Sequence, residues 1–177
     1  QQHNVPDFSK FHFSDINAAI FLDADKDGDL DLYTGGGGNF AAASANVYQQ
    51  QLFLNDGKAN FTLKSGATPL NATNTGVLLS LDFDGDGDLD IFSGSRSQPQ
   101  DYGTTPASYL LENDGKGNFT DVTSTKAPIL QQLGMINSAV WQPLANGQAP
   151  VLTIVGEWMA PRSFQFNKGK CIELDNG

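Results

Sequence analysis

Apolar residues along this chain come in short runs and not at helical spacing. Ala19-Ile20-Phe21-Leu22, Leu52-Phe53-Leu54, Leu78-Leu79-Ser80-Leu81 and Leu110-Leu111 are each bounded by clusters of Gly, Asn, Asp or Pro. Such punctuation predicts strands joined by turns. No window of helical length holds a 3.6-residue period, so an all-β fold is expected.

The runs recur in order. Ala19-Ile20-Phe21-Leu22 leads into Asp23-Ala24-Asp25-Lys26-Asp27-Gly28-Asp29-Leu30-Asp31. Leu78-Leu79-Ser80-Leu81 leads into Asp82-Phe83-Asp84-Gly85-Asp86-Gly87-Asp88-Leu89-Asp90, a displacement of 59 positions from 23 to 82. Downstream, Leu52-Phe53-Leu54-Asn55-Asp56-Gly57-Lys58 returns as Leu110-Leu111-Glu112-Asn113-Asp114-Gly115-Lys116, displaced by 58 positions from 55 to 113. Two motifs returning in one order at nearly one spacing mark an internal repeat.

In the second copy, strands are predicted over 76–81, 89–93, 108–112 and 119–122. A third copy keeps the apolar frame, with Ser138-Ala139-Val140-Trp141, Val151-Leu152-Thr153-Ile154-Val155 and Phe164-Gln165-Phe166 at the strand positions. Its counterparts of the second aspartate run are Gln142, Leu144, Asn146, Gln148 and Pro150, so it should fold without a metal. Four strands in just under sixty residues is the size of a propeller blade. The expectation is about three four-stranded antiparallel blades of a β-propeller: repeats at 18–75, 76–135 and 136–177, after a segment 1–17. Phe8, Phe11 and Phe13 in that segment would be the last strand of a preceding blade. Three blades are too few to close a ring. The chain is therefore expected to be a fragment of a larger propeller, or to self-associate into one.

Composition narrows the chemistry. Among 177 residues, 10 are basic and 20 acidic, a net charge of −10. That surface repels phosphate backbones and anionic lipid, which argues against nucleic acid and membranes as partners. Half of the acids fall in the two aspartate runs, a concentration that calls for a local counter-ion. The lone Cys171 excludes an internal disulfide framework and a Cys-based zinc site, and reads as a small packed residue. No apolar stretch approaches ~20 residues, so no bilayer-spanning helix is expected. The start at Gln1, without methionine, suggests processing or excision from a longer chain.

Ca²⁺ takes six to eight oxygens, and the aspartate runs supply them at alternate positions. Asp23, Asp25 and Asp27 in the first loop, and Asp82, Asp84 and Asp86 in the second, are the candidate side-chain ligands. Gly28 and Gly87 permit the bend. Asp29 and Asp88 would offer backbone carbonyls, and Asp31 and Asp90 would close the shell. Without metal, two such carboxylates at ~5 Å and an effective dielectric near ~20 repel by about 3 kcal/mol. A helical calcium hand needs a bidentate acid at position twelve; Thr34 and Ser93 stand there instead. Mg²⁺ prefers fewer protein ligands and more water, so two structural Ca²⁺ sites are expected.

The pattern Asp-x-Asp-x-Asp-Gly-Asp-Leu-Asp before an apolar strand resembles the FG-GAP/VCBS repeat family, whose integrin-type blades carry calcium in this hairpin. Tyr109-Leu110-Leu111-Glu112-Asn113-Asp114-Gly115 and Val155-Gly156-Glu157-Trp158-Met159 resemble the subgroup found in bacterial surface proteins with an ASPIC/UnbV domain. The resemblance implies an extracytoplasmic, non-catalytic, calcium-stabilised propeller module for binding or adhesion, with a protein or glycan ligand. The alternative is a carbohydrate-binding or accessory propeller segment of a polysaccharide-active enzyme. Gly35 to Gly38, with no Gly-Lys-Ser/Thr following, reads as a flexible strand exit. Asn60 and Asn118 read as turn residues, Asn71 as a bare sequon, and His3 and His12 lack the partners of a triad. Trp141 and Trp158 read as blade packing, with sugar stacking a minor reading for Trp158. The inserts 39–50 and 95–106 are where a partner site is sought first.

Overall fold

A computed structural model describes residues 15–38, 46–71, 73–144 and 148–175. Phe8, Phe11, Phe13, His3, His12, Asn146 and part of the 39–50 insert lie outside the described residues. Three four-stranded antiparallel sheets follow one another along the chain. The first holds β1 (Asp15–Leu22), β2 (Asp31–Gly37), β3 (Gln51–Asn55) and β4 (Phe61–Leu63). The second holds β5 (Asn74–Leu81), β6 (Asp90–Ser97), β7 (Tyr109–Asn113) and β8 (Phe119–Asp121). The third holds β9 (Met135–Gln142), β10 (Val151–Glu157), β11 (Arg162–Asn167) and β12 (Lys170–Glu173). Each is a meander in which every strand pairs with its neighbour in sequence. Each sheet thus has the strand count and order of a propeller blade.

The period-two alternation of strands explains how one sheet serves two cores. In β6, Ile91 points into a cluster with Leu22, Tyr33, Leu52 and Leu111. Its neighbour Phe92 points the other way, into a cluster with Leu110, Ile136, Leu152, Ile154 and Phe164. Burying a Phe or Ile side chain contributes about 2 to 3 kcal/mol, so the central sheet is held from both faces. β1 and β2 lie against β5, and β5 and β6 lie against β9.

Close packing decides the small residues. A Cβ on Gly76 would collide with the carbonyl of Ile136 on β9. The reading of Gly35 to Gly38 as a flexible exit is corrected: Gly35, Gly36 and Gly37 are buried within β2. A Cβ on Gly35 would fall 2.5 Å from Thr75 and one on Gly36 2.7 Å from the backbone of Tyr48. Glycine stands there because neighbouring chain comes too close for a side chain.

After β8 the chain forms a short helix, α1 (Thr123–Lys126), and a 3-10 turn over Pro128–Gln132, neither of which the periodicity predicted. Four residues are too few to display a helical period. Asp121 starts the turn by accepting the N–H of Thr123 at 2.9 Å, and Leu130 anchors its far end in the core, fully buried. Cys171 packs against the same core from β12, and burial pushes its thiol up to about 12.

Candidate metal centres

The two aspartate loops join β1 to β2 and β5 to β6, at the same end of their sheets. In the first, Asp23, Asp25 and Asp27 each turn a carboxylate oxygen to a common point, all within 4.8 Å of one another. Asp82, Asp84 and Asp86 do the same in the second. At Ca²⁺–oxygen distances of 2.3 to 2.6 Å, two ligands of one ion lie at most about 5 Å apart, so both triads have the span of a calcium shell.

The backbone explains the convergence. Asp23 Oδ2 accepts the N–H of Gly28 at 3.2 Å, and Asp27 Oδ1 accepts that of Asp29 at 2.9 Å. In the second loop Asp82 accepts from Gly85 at 2.7 Å and Gly87 at 3.2 Å, and Asp86 from Asp88 at 2.8 Å. These bonds wind the chain so that alternate side chains face inward. Gly28 and Gly87 hold φ of +95° and +85°, with open space around them, so the requirement there is conformational. Lys26 takes φ of +62° where the second loop has Gly85.

Oxygens inside the triads are left over. Asp23 Oδ1, Asp25 Oδ1 and Asp84 Oδ1 are buried without a hydrogen-bond partner. A buried carboxylate oxygen with no donor is costly unless a cation meets it, so these residues fit Ca²⁺. Burial, followed by the neighbouring Asp86, raises the Asp84 carboxyl above the ordinary range.

The other predicted residues stand outside the triads. Asp31 and Asp90 are buried behind the loops as clamps. Asp31 accepts from Ala24 N at 3.0 Å and from Asn55 N at 2.8 Å. Asp90 accepts from Phe83 N at 3.3 Å and Asn113 N at 2.9 Å. Each ties its loop to the third strand of its sheet. Burial lifts Asp31 above the usual range and pushes Asp90 up to about 7, the N–H donors offsetting part of the effect. The carboxylates of Asp29 and Asp88 lie where a side chain on Gly57 or Gly115 would stand, against the β3–β4 and β7–β8 turns. Asp88 Oδ1 pairs with the Lys26 ammonium, which reaches across from the first loop.

Residues that sequence reasoning passed over link the two centres. Asn113 Nδ2 donates to the Ala24 carbonyl of the first loop at 2.9 Å and to Leu89 of the second at 3.2 Å. Lys126 from α1 stands 3.7 Å from Asp84 and 3.4 Å from Glu112. Asn55 and Asn113 recur in register, and that recurrence was the available signal. The turn itself is held by Asp56 and Asp114, which accept from Asn60 and Asn118 side chains at 2.8 Å in both copies.

Residues 82–142 match the model of a family described as FG-GAP-like repeat. The match begins at the first aspartate of the second loop and runs through β6, β7, β8 and α1 to the end of β9. It supports the FG-GAP repeat family for this stretch. No curated protein matches the chain.

Proposed function

We propose that this chain is a non-catalytic β-propeller module, stabilised by two structural calcium ions, that serves binding or adhesion outside the cytoplasm. The observation that carries the reading is the pair of aspartate triads at one register of two sheets, each with at least one buried oxygen that lacks a donor. Calcium would be held by Asp23, Asp25 and Asp27, and by Asp82, Asp84 and Asp86, with Asp31 and Asp90 bracing the loops from behind. Its charge would offset the repulsion among the carboxylates and let the hairpins close.

The acids outside the loops support a scaffold role. Asp56 and Asp114 close turns, Glu112 stands beside Lys126, and Glu173 forms a two-pronged pair with Arg162 at 2.6 and 2.8 Å. A hydrolytic site needs carboxylates free to exchange protons with a substrate. Three blades are fewer than a ring requires, so we assign the repeats 18–75, 76–135 and 136–177 to a propeller completed by further blades or by another copy. No helix among the described residues is long and apolar enough to cross a membrane.

Extracellular calcium modules bind at about 10⁻⁴ to 10⁻³ M. At millimolar calcium each site then contributes on the order of 0.4 to 1.4 kcal/mol. For two sites in a chain of this size, the melting temperature should rise by roughly 2 to 11 °C between chelator and excess calcium. Asp25→Asn and Asp84→Asn should each remove part of that rise. An identical melting curve with and without calcium would refute the proposal.

A further inference from the structure

Opposite the aspartate loops, at the other ends of the strands, lies an open cavity of about 240 Å³ lined by Asn17, Asn74, Arg96, Ser97 and Tyr102. It sits where β1 and β5 begin and β6 ends. Asn74 is only 5% exposed, and its Nδ2 donates to Ser97 Oγ at 2.9 Å. Its Oδ1 is buried behind the wall without a hydrogen-bond partner, so the polar group the residue turns to the cavity is the Nδ2–Ser97 hydroxyl pair. No metal-loop residue lines this cavity.

The rim combines aromatic surface with a neutralised ion pair. Arg96 Nη2 lies 3.5 Å from Glu157 Oε1, and the Tyr102 hydroxyl donates to the same carboxylate. The Tyr102 ring meets Trp158 edge-on, with centroids 6.1 Å apart and planes at 79°. Trp158 follows β10 with φ of +56° and is 80% exposed, so most of its indole stays open to solvent. A positive φ at a bulky residue is uncommon, and here it accompanies a ring set outward beside the cavity.

We propose that this cavity and its aromatic rim form a binding site for a neutral saccharide. A pyranose presents an apolar C–H face, which suits the open indole of Trp158, and a belt of hydroxyls that both donate and accept. The Asn17 amide and the Ser97 hydroxyl at the cavity wall supply both functions. An anionic ligand fits poorly, because Glu157 already engages the Arg96 guanidinium and the chain carries a net −10. A cationic ligand meets that same guanidinium and finds Glu157 occupied. A small pocket with a few convergent polar groups and an aromatic wall is the form such sites take. The inference rests on the binding-module reading for the premise that a ligand is bound, and names its class and place.

The test titrates the calcium-loaded full chain, in a Trp141→Phe background, with methyl glycosides and tetrasaccharides of glucose, galactose, mannose and N-acetylglucosamine. Trp158 emission and calorimetry are read together, with a lysine-rich peptide as a parallel arm. At least one sugar should bind saturably and change the emission. Trp158→Ala should weaken that binding by about tenfold or more, the loss typical of an aromatic anchor, without lowering the melting temperature. Tyr102→Ala should weaken it as well. Binding that survives Trp158→Ala unchanged overturns the site, as does binding of the peptide in place of every sugar. If no sugar binds while calcium still raises the melting temperature, the saccharide site falls and the calcium module stands. Loss of the calcium effect sinks the module whatever the sugars do.

Discussion

Replacing Asn113 with alanine tests how the two aspartate loops are joined. The side chain is 4% exposed and makes three bonds: to Ala24 O at 2.9 Å, to Leu89 O at 3.2 Å, and from Gly117 N at 3.1 Å. Truncation strands the Ala24 carbonyl and the Gly117 N–H in buried surroundings, where an unsatisfied group costs about 1 to 3 kcal/mol. The Leu89 carbonyl is only partly buried, so water recovers most of its bond. The expected loss is roughly 3 kcal/mol. Asn55 occupies the same register one sheet earlier and provides the control. Its bonds to Leu30 O at 3.0 Å and from Ala59 N at 3.2 Å are exposed, so Asn55→Ala should cost roughly 1 kcal/mol. Urea unfolding of both variants in excess calcium measures the difference, read at unchanged denaturant slope. Because the Ala24 carbonyl lies between Asp23 and Asp25, Asn113→Ala should also weaken calcium at the first loop from a position 89 residues away. If Asn113→Ala costs no more than Asn55→Ala, the bond does not join the loops as argued.

Other expectations follow from the same geometry. Tyr33 is fully buried, donating to Gln50 Oε1 at 2.7 Å, while Gln50 Nε2 donates to Ser93 Oγ at 2.5 Å. Tyr33→Phe should therefore cost about 1 to 3 kcal/mol in urea unfolding, and a neutral result would mean water replaces the phenol. Gly76→Ala forces a methyl against the Ile136 carbonyl and should destabilise by about 1 to 3 kcal/mol, whereas Gly66→Ala, with open space around it, should lose only its backbone penalty of roughly 1 kcal/mol. In calcium-free protein, burial pushes Asp90 up to about 7 from an ordinary value of 3.8, and Asp31 shifts the same way. A raised carboxyl favours folding while protonated, so its contribution is present below the unfolded value and lost as pH climbs from about 4 through 7. Melting temperatures in chelator should fall over that window. Calcium, which favours the carboxylates, should flatten or reverse the trend, and identical pH profiles with and without calcium would contradict the assignment.

Much of the architecture could be read from local pattern alone. Short apolar runs with turn residues between them specify strands, because side-chain alternation and turn dihedrals depend on a few adjacent residues. The predicted strand 76–81 lies within Asn74–Leu81, and 89–93 overlaps Asp90–Ser97 in all but its first residue. The triads Asp23-Asp25-Asp27 and Asp82-Asp84-Asp86 were legible for the same reason, since Asp23 and Asp82 accept from N–H groups within five positions of their own. The helix Thr123–Lys126 was not, being shorter than any periodic window.

The sequence by itself determined three repeats of four strands, and two loops whose alternating carboxylates face one point. Only the tertiary structure decided which faces meet. Packing β5 on β9 makes Gly76 a site of backbone approach, and stacking the first sheet on the second brings Asn113 to the Ala24 carbonyl. Packing β9 on β6 carries the end of β10 with it, and so brings Trp158 to Tyr102 and Glu157 to Arg96. The physical reason is one of range. Strand and turn rules act over a few bonds, whereas contacts between sheets depend on side chains whose order along the chain does not encode their separation in space.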